Sequence, residues 1–385
     1  MKKVIVLVFS LIMVIALVAC APAAVTPADD AAADAPADDA AADAPADDAA
    51  DAPADDAAAD DMSLEGKKIA YFVSELSNEF HQARAAAAVT YAMEEYGIIV
   101  DIIDGKSDAN VMTQNVDMLA TSDYIGASLQ IWEAEAATPG VEAAIEAGVA
   151  MTTFFSPLGT TGIPTFRSDE YGSSFDMGAA AATAWTEANP DKPIVTVQLG
   201  WPDHTEVRSG RTDPWVDGIE SVVGAGNFTD LGCLDSKGSA DATKEALAAV
   251  LVSNPDVNLI YSEAGNLTPG AMAALVDAGR GTMDNGVPTT EIVASVDLPT
   301  SELTDIYNPN SSLKMSMGLP PIGTSKTIID TIVAVYLGEM AQVSDPAEEA
   351  FGPTFSCIYW TVTLDDTLAW YNDQFGTSLT ADDVM

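Results

Sequence analysis

The chain has 385 residues, with 59 acidic against 15 basic side chains and a formal net charge of −44. So large an acidic excess excludes nucleic acid as a partner, because phosphate contacts need clustered Lys and Arg. The sequence holds two histidines, three cysteines and no Cys-x-x-Cys, which argues against the common zinc motifs and predicts no cofactor.

In chain order, Met1-Lys2-Lys3 precedes an apolar run that ends on Leu17-Val18-Ala19-Cys20. A basic start, an apolar middle and small residues before a cut describe a secretory signal. Its end resembles the bacterial lipobox, so residues 1–20 are expected to be a lipoprotein signal peptide with Cys20 carrying the lipid. The mature protein would then sit outside the cytoplasm, in the periplasm or on the outer face of the cell membrane, anchored but not spanning. Residues 21–63 are almost entirely Ala, Asp and Pro, with Pro-Ala-Asp-Asp-Ala-Ala restarting at Pro27, Pro36, Pro45 and Pro53. Nothing there has a large side chain to bury, so this segment reads as a disordered tether.

The body opens with a strand over 67–73, a polar loop from Ser74 to Asn78, and a helix over 80–96 that Gly97 stops. A strand over 98–103 completes a β-loop-α-β unit, which places a ligand at the carboxyl ends of its strands. Asn78 and Phe80 also read as a helix cap and its hydrophobic staple. Next come a turn at 104–108, a helix over 109–120 and a strand over 125–130, with Trp132 and Glu133 just past it. A helix over 138–147 and a strand over 150–155 follow. A second series has helices over 175–188, 211–223, 240–252 and 269–278, and strands over 193–199, 257–261 and 291–297. The alternation predicts an α/β protein with mostly parallel sheets. Two series of similar size predict two Rossmann-like lobes with a cleft between them. In the tail, 355–364 reads as a strand and 368–375 as a helix packing Trp370 and Tyr371 on the second lobe. Cys233 and Cys357 then share a lobe, where export permits a disulfide and two buried thiols fit equally.

Several stretches together resemble the type I periplasmic binding proteins, in particular those of sugar-type ABC importers. They include residues 73–80 with Ser74, Asn78 and Phe80; Gly97-Ile98-Ile99-Val100-Asp101 leading to Asp104-Gly105-Lys106-Ser107-Asp108; and Ala144-Ile145-Glu146-Ala147-Gly148-Val149. Arg211-Thr212-Asp213-Pro214-Trp215 and Ser295-Val296-Asp297 continue the series in the second lobe. The resemblance implies that the chain crosses between lobes three times, near Asp169, Gly318 and Val343. Lobe one would be 64–169 plus 318–343, and lobe two 170–317 plus 344–385.

The resemblance also implies ligand contacts at Asn78 and Phe80, with His81 in place of a second stacking aromatic. Arg211 matches a clamp arginine and Asp297 an acceptor for ligand hydroxyls. The chain departs from the family where Phe155-Ser156, Ser262 to Asn266, and Met317-Gly318-Leu319-Pro320 replace polar ligand groups. Trp132, Phe155, Trp201 and Trp215 are candidate aromatic walls, and Glu263 a candidate partner for a cationic solute. The function implied is a monomeric, non-enzymatic solute receptor that hinges shut on a sugar or sugar-like compound and delivers it to an ABC permease. A sensing receptor of the same fold, or an importer component for a nucleoside or small cation, is the alternative. No catalytic triad order or phosphate loop argues for an enzyme.

Overall fold

The structure is a computed structural model that describes residues 63–155, 162–342, 349–352 and 354–385. The expected signal peptide, the lipidated Cys20 and the tether up to Asp61 lie outside the described residues.

The first apolar run forms β1 (Lys68–Val73), buried from Ile69 onward because helices cover both faces of its sheet. α1 (Glu79–Tyr96) follows. The Asn78 side chain caps it by accepting from the Phe80 amide at 2.8 Å, and Gly97 closes it at φ 67°. β2 (Ile99–Asp104), α2 (Ala109–Asp117), β3 (Tyr124–Leu129), α3 (Ala134–Glu146), β4 (Ala150–Phe154) and β5 (Thr165–Ser168) extend this half.

The second half starts with α4 (Glu170–Ala188) and β6 (Ile194–Gly200). The short α5 (Thr205–Val207) runs through a π-helical turn, Arg208–Thr212, into α6 (Asp213–Val223). Then come β7 (Phe228–Asp235), α7 (Ala240–Ser253), β8 (Leu259–Ser262) and α8 (Thr268–Asp277). A small hairpin, β9 (Met283–Asp284) and β10 (Val287–Pro288), precedes β11 (Ile292–Val296), α9 (Thr300–Tyr307) and β12 (Leu313–Gly318). α10 (Pro321–Tyr336) returns to pack on α1, β3 and β4. β13 (Glu349–Gly352), β14 (Phe355–Ile358), α11 (Leu364–Phe375) and α12 (Ala381–Val384) end the chain.

Two sheets result, ordered β13-β5-β4-β3-β1-β2 and β14-β12-β11-β8-β6-β7. Their pairings are parallel except for that of β14 with β12. In each, the first strand of the series lies between the second and third, so the order reverses beside β1 and beside β6. Crevices for ligands open at the carboxyl ends of strands at such reversal points. The protein is thus α/β with two doubly wound halves, and the chain passes between sheets after Ser168 and after Gly318.

Two findings differ from the expectations, and a third, the state of the thiols, decides between alternatives that the sequence left open. β13 pairs with β5 in the first sheet, so the last passage follows Gly352 and not Val343. Cys233 and Cys357 are free. They lie on β7 and β14, opposite edges of the second sheet, and five strand spacings put about 24 Å between those edges. Trp215 is core, not a cleft wall. It is fully buried, stacks on Tyr261 with ring centroids 4.9 Å apart, and donates Nε1–H to Thr196 Oγ1 at 2.9 Å. α4 crosses α6 at Gly178, where a Cβ would run into the Trp215 carbonyl.

Candidate functional site

The carboxyl ends of both sheets converge on a cavity of about 120 Å³. From the first half, β1 and its loop supply Ser74, Glu75 and Asn78, and α1 supplies Phe80 and His81. β3 ends at Gln130 and Trp132, and β4 at Phe154 and Phe155. From the second half come Trp201 and His204 after β6, Arg211 from the π-helical turn, and Asp297 at the end of β11.

Arg211 is held rather than free. Its Nε and Nη2 donate to the two Glu170 oxygens at 2.8 and 2.9 Å, and Nη1 donates to the Glu263 carbonyl at 2.5 Å. Its Cζ lies 5.4 Å from the Phe155 ring centroid. Burial draws the guanidinium's pKa down, but the charge and hydrogen bonds of Glu170 outweigh it and raise the pKa above its ordinary value. The extra residue of the π turn aims this side chain inward.

Asp297 accepts from the Gly265 amide at 3.1 Å, and burial pushes its carboxyl above the usual range. Its φ is 79° and that of Phe155 is 74°. Two non-glycine residues in the left-handed region, one at each sheet's strand ends, concentrate backbone strain at the cavity.

The halves touch directly here. Asn78 Nδ2 donates to Asp297 Oδ2 at 3.0 Å, and Glu79 Oε2 accepts from the Thr300 amide and hydroxyl at 2.8 and 2.9 Å. The structure is therefore a shut arrangement of the cleft.

Of the expected ligand residues, Asn78, Phe80, His81, Trp132, Phe155, Arg211 and Asp297 line the cavity. Glu263 does not. It is fully buried behind the wall, where its carboxylate accepts from Thr212 Oγ1 and from the Trp201 amide at 3.3 Å. It fills the space that a side chain at Gly200 would need. Burial raises its pKa, while its Thr212 and Trp201 hydrogen bonds and Arg211 oppose the shift, and its place behind the wall makes it a support for the cavity and not a contact for a solute. Ser74, Gln130, Phe154 and His204 were missed as lining residues. Each stands at or just beyond a strand's carboxyl end, a signal that the strand assignments already contained.

Two doubly wound halves with reversal-point cavities facing each other, joined by repeated chain passages, define the type I periplasmic binding protein fold. The chain belongs to the periplasmic binding protein domain family, whose model matches residues 69–340. That family is one of binding proteins, not enzymes. Among solved structures, the chain is similar to a 5-methylthioribose transporter solute-binding protein from Thermotoga lettingae TMO in complex with 5-methylthioribose. The two share 13% identity and a TM-score of 0.65, over 84% of this chain and 97% of that one. A solute-binding protein from Agrobacterium vitis bound with α-D-tagatopyranose matches at 16% identity and TM-score 0.64, over 79% of this chain and 98% of that one. One from Actinobacillus succinogenes 130z with bound D-allose matches at 14% and 0.62, over 78% and 99%. No curated protein sequence matches the chain.

Proposed function

We propose that this protein is the extracytoplasmic, lipid-anchored solute receptor of an ABC importer, and that it closes its two halves around a sugar or sugar-like compound. The observation that carries the reading is the cavity itself. Aromatic faces from both halves (Phe80, Phe154, Phe155, Trp132, Trp201) surround a few polar groups, among them Asn78, Asp297 and Arg211. Flat apolar faces with sparse, aimed donors and acceptors suit a ring that has one apolar face and a hydroxylated edge. Sugars or a thio-sugar in the matched structures support this class of ligand. Affinity arises from closure, and release from a permease that favours the open form. The basic start and Cys20 motif support the lipid anchor.

A second reading has one specific observation behind it. Glu133, Asp203, Glu206 and Asp235 rim a groove that shares Trp132, Trp201 and His204 with the cavity. An acidic, indole-walled mouth favours a solute bearing a positive group.

A thermal-shift screen of the protein against sugars, thio-sugars, nucleosides and quaternary amines tests both. A ligand that binds only the native state raises the melting temperature. A sugar hit is the expected result; a response confined to amines would replace the sugar reading with the cationic one. Radiolabelled palmitate incorporated by wild type and not by Cys20→Ala checks the anchor.

A further inference from the structure

The first half's wall contains a chain of hydrogen bonds that ends on the cavity. Arg84, on α1, is fully buried and has no carboxylate partner among the described residues. Its Nη1 donates to Gln130 Oε1 at 2.8 Å and its Nη2 to the Tyr71 hydroxyl at 3.1 Å, while its Cζ lies 3.6 Å from the Phe154 ring centroid. The Ser74 amide donates to the same Gln130 oxygen at 3.3 Å. Two donors on that atom settle the orientation of the amide and turn Gln130 Nε2 toward Ser74 Oγ, 3.4 Å away. Ser74 Oγ thus accepts from Gln130, and it lies 2.8 Å from His81 Nε2, a nitrogen that can take its proton.

His81 is 8% exposed. Burial, together with the positive charges of Arg84 and Arg211, holds its imidazole well below the ordinary histidine range, so the ring is neutral. A neutral imidazole that accepts at Nε2 carries its proton on Nδ1. That nitrogen is buried without a partner among the described residues, in a residue that lines the cavity. A buried donor left unpaired is costly, and a bound solute offering an acceptor there removes the cost.

We propose that His81 is the specificity-determining donor of the first half. The Arg84–Gln130–Ser74 chain holds it as the Nδ1–H tautomer, and it selects solutes that present an oxygen acceptor, such as a ring oxygen or carbonyl, against the Phe80 and Phe154 faces. The proposal rests on the solute-receptor reading for the site and adds the group that is read there. A competitor with a methylene at that point leaves the donor unpaired and is rejected more strongly than shape alone would achieve.

Nitrogen-15 NMR of the protein labelled in its two histidines reads the tautomer directly, with His204→Gln for assignment. The expected spectrum shows His81 protonated on Nδ1 and bare on Nε2, with the Nε2–H form gaining in Ser74→Ala. A His81 ring protonated on Nε2 in the native protein overturns the proposal. In titrations with D-allose, D-tagatose and 5-methylthioribose, His81→Phe keeps an aromatic face and loses the donor. It is expected to bind the tightest of the three at least about tenfold more weakly, a difference of about 1.4 kcal/mol; equal affinity also overturns the proposal. If none of the three binds wild type, the tautomer measurement decides the His81 assignment by itself, and the sugar reading is decided by the wider thermal-shift panel.

Discussion

Asn78 and Asp297 are hydrogen-bonded to each other at 3.0 Å across the cleft, although they come from separate sheets and lie 219 positions apart. The cap of α1 and the strained end of β11 therefore double as a latch between the halves.

Asn78→Asp tests the latch without losing the cap, since either side chain accepts from the Phe80 amide. It sets two carboxylates against each other, which disfavours the shut form. Small-angle scattering should show a larger radius of gyration than wild type at pH 8, shrinking at pH 5 as the pair takes up a proton. An unchanged radius at both values would refute the latch.

The Arg211–Glu170 pair is buried on both sides, with side chains 9% and 5% exposed. Glu170→Gln leaves a buried cation without its counter-charge and should cost about 3–5 kcal/mol in urea unfolding. Arg211→Met in the same chain should recover most of that loss, because the uncompensated charge has gone with it. A single-variant loss below about 1 kcal/mol would show the pair to be dispensable.

Glu302 lies fully buried beneath Asp297's strand, with Ser295 Oγ donating to it at 2.6 Å, and burial pushes its pKa up to about 8. An acid raised above its unfolded value of 4.5 holds its proton more tightly when folded. Its contribution is therefore complete below pH 4.5 and is lost as pH rises toward 8, at up to about 1.4 kcal/mol per unit. Glu302→Gln should flatten the fall in unfolding free energy between pH 5 and 8. Parallel curves for the two proteins would reject this assignment.

Burial raises the pKa of both body thiols, that of Cys357 to about 11, with the neighbouring Glu263 adding to the shift at Cys233. Neither should react with iodoacetamide at pH 8 until the protein is denatured, and intact mass under non-reducing conditions should show both as free thiols. A mass lower by two hydrogens would mean that the opposite edges of the second sheet had been joined.

Much of the fold was legible because its signals are local. The caps Asn78 and Gly97, the apolar run of β1 and the alternation of strand and helix all depend on neighbours within a few residues. β7 went unassigned because it is an edge strand, half exposed, with no continuous apolar stretch in Phe228–Asp235. The last passage between sheets was misplaced because the pairing of β13 with β5 joins segments some 180 residues apart, and no local pattern encodes it. In the site, strand ends pointed to the segments that hold Asn78, Phe155 and Asp297, and the family resemblance picked out Asn78 and Asp297 within them. Strand ends were not sufficient to separate Glu263 from its neighbours, because an acid after a strand looks the same whether it faces the cleft or fills the gap left by Gly200.

The sequence by itself determined the class of architecture and the strand ends at which a cleft had to form, since hydrophobic period and turn chemistry act over short range. Only the tertiary structure decided what those residues do to each other. Arg211 is pledged to Glu170, Trp215 belongs to the core, and His81 lines the cavity with one nitrogen hydrogen-bonded and the other buried and unpaired among the described residues. Those outcomes follow from hydrogen-bond geometry and burial between segments distant in the chain. Such long-range partners set the charge and the donors of a site, and a one-dimensional pattern carries no record of them.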